Sequence, residues 1–103
     1  MDLVLFILGS AAFYAATMIL MKHWNALPPL AMGGLIALAF AVGAWCEIEA
    51  LKIERLSAIY IAILGVECLI ISAASFMFLG ESVSSREVAG GVLIVAGVAL
   101  AAV

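Results

Sequence analysis

A chain of 103 residues holds one domain at most, and with 69% hydrophobic and 11% charged residues it has too little polar surface to clothe a water-soluble fold. A mean hydropathy of +1.39 makes lipid its main solvent. Four Lys and Arg against seven Asp and Glu leave a net charge of -3 and no basic stripe for phosphates, which excludes a nucleic-acid partner.

The first apolar run, Leu3 to Met21, carries no charge and is about long enough to cross a ~30 Å hydrocarbon core at ~1.5 Å per residue. Met1-Asp2 supplies no basic lead and the run exceeds the apolar stretch of a leader, so it reads as a membrane helix. Lys22 and His23 close it at headgroup level, where the imidazole is expected as an interfacial ring and not a ligand. Within the run, Ser10, Tyr14 and Thr17 follow at spacings of four and three, which sets three hydroxyls on one side of an apolar cylinder. That stripe either faces a cavity or bonds a neighbouring helix. Asn25-Ala26-Leu27-Pro28-Pro29 breaks the chain and opens a second helix over 30–46. The third runs over 56–79 and stops at Gly80. The fourth covers 88–103, preceded by Ser84 and Glu87 at capping-box spacing. Runs without alternation in lipid must be helices, because only helices and closed barrels pair every backbone polar group. The expected fold is all-α: one membrane domain, residues 1–103, forming a bundle of four transmembrane helices.

Orientation follows from loop cations. Lys52 and Arg55 stand on the side of the chain ends, and Lys22 and Arg86 on the other, two against two. So even a balance permits insertion both ways and an antiparallel dimer from one chain.

Glu67 is the most informative residue, an acid near the middle of the third helix, where insertion is unfavourable by roughly 2.5–3.5 kcal/mol. It is read as an ion or cation site facing a protein interior, or as a protonated group bonded between helices. Tyr60 lies seven residues earlier on the same face, so a carboxylate and a ring edge one surface that suits an organic ammonium. Ser72 and Ser75 read like the helix-one hydroxyls. On the fourth helix Gly90, Gly91 and Gly97 form a flat strip where another helix can approach, a dimer contact. Cys46 and Cys68 are small apolar packing residues without a metal-ligand set around them. No nucleophile with its base and no phosphate-binding glycine loop is present, so neither catalysis nor a cofactor or metal is expected.

Several landmarks run the length of the chain: Leu20-Met21-Lys22, Trp45, Tyr60 with Gly65-Val66, Gly80, and Gly90, Leu93, Ile94, Ala96 and Gly97 on the fourth helix. In these the chain resembles the small multidrug resistance family, the shortest drug/metabolite transporters. The resemblance implies a four-helix protomer of the bacterial inner membrane. It also implies an antiparallel dimer through the fourth helix, with Gly90, Leu93 and Gly97 at the contact, and a chamber lined by helices one to three. The family's signature acid on helix one is replaced by Tyr14. Ile63 stands where drug-exporting members commonly carry tryptophan, and Phe40 and Val4 stand where they commonly carry tyrosine. The chain therefore reads as a divergent member. Its expected function is transport of a small organic cation or amphipath, with Glu67, Tyr60, Tyr14 and Phe40 as binding residues. The rival is a non-transporting structural or regulatory subunit, paired with a related protomer or docked on a larger membrane complex.

Overall fold

The computed structural model describes residues 2–102 and is all-α: α1 Asp2–Lys22, a short 3-10 turn Trp24–Ala26, α2 Pro29–Leu51, α3 Leu56–Met77 and α4 Ser85–Ala102. Of these α1, α2 and α3 are long and apolar enough to cross a membrane, which makes the chain an integral membrane protein of several spans. The fourth is 18 residues long and opens on Ser-Arg-Glu. Pro29 starts α2 because its fixed φ suits a first helical position and its missing N–H would have no partner there.

Three helix ends differ from the expected ones by two residues or more. The second helix does not stop at Cys46: Glu47 and Glu49 lie inside it, Glu49 reaches Lys52 at 3.1 Å, and the Ile53 and Glu54 N–H groups close the end on the Ala50 carbonyl. The third ends two residues early, at Met77. Phe78 and Leu79 both donate to the Ala74 carbonyl, and Gly80 then takes φ +67°, a left-handed value open to glycine, which brings the Glu81 N–H back to Ser75. The fourth begins three residues early, at Ser85, because the Ser84 hydroxyl accepts from the Glu87 N–H at 3.2 Å. The Glu87 carboxylate accepts from that same hydroxyl at 3.3 Å, so Ser84 and Glu87 do cap the helix.

Small residues decide how closely the helices approach, since in lipid there is no hydrophobic drive between apolar cylinders. Gly43 of α2 lies under the Tyr14 ring, where an added Cβ would stand 2.9 Å from Cε1, and at Gly9 of α1 it would meet the Cys46 sulfur at 3.2 Å. These two sites make α1 and α2 a tight antiparallel hairpin. The third helix lies across it, burying Ile59 and Ile63 against Ala11 and Ala50, with Phe6, Tyr14, Val66 and Ile70 packed around them. The fourth helix rests on α3 where Gly65 meets Val98. Away from that point α3 and α4 part, leaving an apolar wedge of about 740 Å³ between Cys68, Ser72, Phe76, Val88, Val92 and Val95. No more than 22% of any spanning segment is buried within the chain, so most of the apolar surface faces lipid or another protein. Lys22 at the end of α1 pairs with Glu81 after α3 at 2.7 Å, which puts these two connections on one side.

Both contacts generate tests. A methyl on Gly65 would overlap Val98 Cγ2. Gly65→Ala is therefore expected to destabilise the protein in detergent by about 1–3 kcal/mol, and Val98→Ala to restore most of that; penalties that simply add would refute the contact. Glu81 is held below the ordinary carboxylate range, first by its hydrogen bond to Lys22 and then by that residue's charge. With a lowered folded value, the pair's contribution is full above the unfolded pKa and fades as pH falls through the folded one. A carboxyl titration by NMR should find Glu81 low in the wild type and back in the ordinary range in Lys22→Met.

Candidate functional site

Tyr14, Phe40 and Glu67 come from three different helices and meet at one recess. Glu67 sits eleven residues after Leu56 and ten before Met77, midway along α3, on the side that turns toward α1. Tyr14 lies midway along α1, its ring 5.9 Å from that of Phe40 on α2. Together with Thr17 and Met18 these three residues line a cleft of about 240 Å³. Among its walls Glu67 is the acid, Phe40 and Tyr14 are the rings, and Met18 contributes a polarizable thioether.

The hydroxyl stripe of α1 resolves into three different situations. The Tyr14 hydroxyl donates to Glu47 Oε1 on α2 at 2.6 Å. Side chains lean toward the N-terminus of their own helix, so on antiparallel neighbours they lean toward each other, and Tyr14 and Glu47 converge from opposite directions. Thr17 donates within its own helix, to the Tyr14 carbonyl at 2.5 Å. Ser10 is wholly buried and its hydroxyl has no hydrogen-bond partner. The stripe thus faces α2 at Tyr14 and is satisfied locally at Thr17.

Glu47 is the polar residue that sequence reasoning passed over. Ending the second helix at Cys46 placed it in a connection, whereas in α2 it falls four residues after Gly43 and so on the face that meets α1. That spacing was readable; what concealed it was the run of acids, which resembles a helix stop.

Tyr60 is not part of the recess. It is 56% exposed and lies nearly two turns along α3 from the cleft wall at Glu67. The α4 strip also faces outward: Leu93 is 73% exposed, and a Cβ on Gly90 or Gly97 would meet nothing within 4 Å. Among the described residues no three His, Cys, Asp or Glu side chains gather to hold a metal ion.

The Tyr14 to Glu47 bond ties two helices through a charged acceptor, and such bonds contribute about 1.5–3 kcal/mol. Tyr14→Phe leaves the carboxylate at the interface without its donor, so its reversible unfolding in lipid or detergent should lie lower by roughly that amount; a variant as stable as the wild type would show the bond to be idle. Compared with known proteins, the chain matches no family model, no curated protein and no solved structure.

Proposed function

We propose that the chain is one protomer of a small transporter similar to the small multidrug resistance family, taking a small organic cation or amphipath into the recess of Glu67, Tyr14 and Phe40. The observation that carries this reading is the acid placed midway along an apolar helix, opening on a cleft with two aromatic walls instead of being bonded to a neighbouring helix. An acid at that depth is unfavourable unless something offsets it, and a bound cation does so. In this reading α4 is the fourth span.

The recess is open on one side, and Tyr60 is exposed on α3 nearly two turns from it. A second protomer, a copy inserted antiparallel or a related chain, completes the chamber and meets this one through Gly90, Leu93 and Gly97 of α4. The two-against-two loop cations support the antiparallel arrangement. The plasma membrane of a bacterium is the expected location, with the bilayer itself as the other partner.

The test is binding and flux in liposomes across a panel of organic cations. Glu67→Gln removes one charged acceptor and is expected to weaken cation binding by roughly tenfold to a hundredfold, from the ~1.5–3 kcal/mol of a hydrogen bond to a charged group. If wild type and variant handle every cation alike, the site is elsewhere. A foreign membrane protein at fixed stoichiometry in the intact assembly, with no flux, would support the structural or regulatory subunit instead.

A further inference from the structure

The wedge between α3 and α4 measures about 740 Å³, against about 240 Å³ for the recess at Glu67, and the two share no lining residue. The contact of Gly65 with Val98 closes one end of it, and next to that end Cys68, Val92 and Val95 make apolar walls. The other end reaches the α3–α4 connection, where Glu81, Ser82 and Glu87 form a rim. From Val95 to Glu87 is eight residues, about 12 Å along α4. Polarity therefore changes along one axis, from a dry closed end to an acidic rim. Midway along α4, a Cβ on Gly91 would meet nothing within 4 Å, so this glycine keeps the wedge open.

The charge of the rim is one-sided: the lining holds two acids and no Lys, Arg or His. Glu81 is paired with Lys22 at 2.7 Å. Glu87 shares the face of Gly91 and Val95, four and eight residues further on, and its side chain leans toward the N-terminus of α4, where the rim lies. The Ser84 hydroxyl donates to one of its oxygens at 3.3 Å, and among the described residues no cation pairs with it. Arg86 lies ~100° round the helix and is not part of the lining.

We propose that this wedge is a second binding site, open to the bilayer, which takes a single-chain amphipath with a cationic head: the tail lies between α3 and α4 and the head meets Glu87 at the rim. It does not depend on the Glu67 recess. Apolar walls choose little in a membrane, because a lipid tail fills them as well as any other chain. Selection falls to the rim, where a carboxylate attracts an ammonium and two acids disfavour the phosphate of a phospholipid. A cationic head also needs no burial there, since Lys22, the partner of Glu81, ends α1 at headgroup level.

The test uses dodecylammonium with a photoreactive diazirine at the tail tip, compared with the matching alcohol and the matching phosphate monoester. Each is added at equal mole fraction to the protein in phosphatidylcholine nanodiscs, and the adducts are mapped by mass spectrometry. The ammonium probe should label the closed end, at Cys68, Val92 or Val95, saturably and about twofold to fivefold more than the alcohol, as expected of an ion pair open to solvent. The phosphate should label it least. Glu87→Gln keeps the helix cap, because glutamine serves at that position as well, and should bring ammonium and alcohol to parity. Gly91→Phe fills the wedge and should abolish the labelling, whereas Gly91→Ala should retain most of it. Glu67→Gln should change nothing here. Equal labelling of the wild type by all three probes, or a preference that survives Glu87→Gln, would show a lipid-filled crevice and overturn the proposal. So would undiminished labelling in folded Gly91→Phe, or adducts that fall on Tyr14 and Phe40 and vanish in Glu67→Gln; the last result would leave the recess standing as the single cation site.

Discussion

Everything described here depends on how closely α1 can approach α2, and that is decided by the absence of side chains at Gly43 and Gly9. Apolar helices in lipid have no hydrophobic reason to prefer each other over acyl chains, so they associate where backbones come near enough for dispersion and hydrogen bonds. At Gly43 the space is taken by the Tyr14 ring, and at Gly9 by the Cys46 sulfur. The ring is thereby fixed against α2 with Phe40 on one side and Glu47 within reach of its hydroxyl. A methyl at position 43 would lift the phenol away from both. The glycines are thus as much part of the site as the polar groups.

Of the acids within the helices that build this hairpin and its neighbour, Glu47 and Glu67 meet different surroundings. Glu47 is joined to a phenol across the α1–α2 contact, a bond that helps hold the hairpin. Glu67 opens on the cleft instead. A charged group in a low-dielectric setting is tolerable when it is bonded, paired or solvated. Glu47 has its bond within the chain, whereas Glu67 lines the cleft.

Much of this was readable before any coordinates. Leu3 to Met21 and Leu56 onward are apolar runs of spanning length, Pro28-Pro29 can only open a helix, Gly80 can only turn, and Ser84 with Glu87 can only cap. The shared recess of Tyr14, Phe40 and Glu67 was partly legible too, because an acid at mid-helix has few tolerable surroundings. What escaped was tertiary. Helical spacing places Tyr60 and Glu67 on one side of α3, yet it does not say how far round that side the neighbouring helix reaches, and Tyr60 ends up facing outward. Glu47 escaped because a cluster of acids resembles the end of a span, whereas Ala50 and Leu51 carry α2 past it and into the core. The partner of Tyr14 lies on another helix, and no local pattern announces it.

The way α4 joins the rest of the molecule makes it a lever. Its firm seat is at Val98, against Gly65, and toward Ser85 the two helices diverge around the apolar wedge. From Val98 back to Ser85 is thirteen residues, about 20 Å of arm at ~1.5 Å per residue, so a tilt of roughly 10° at the fulcrum carries the free end about 3 Å. The turn carrying Gly80 and Glu81 lies at that moving end, and Glu81 is clasped by Lys22 of α1. Any rotation about that seat would be largest where α4 begins, next to the turn whose Glu81 pairs with Lys22 on the helix that carries Tyr14.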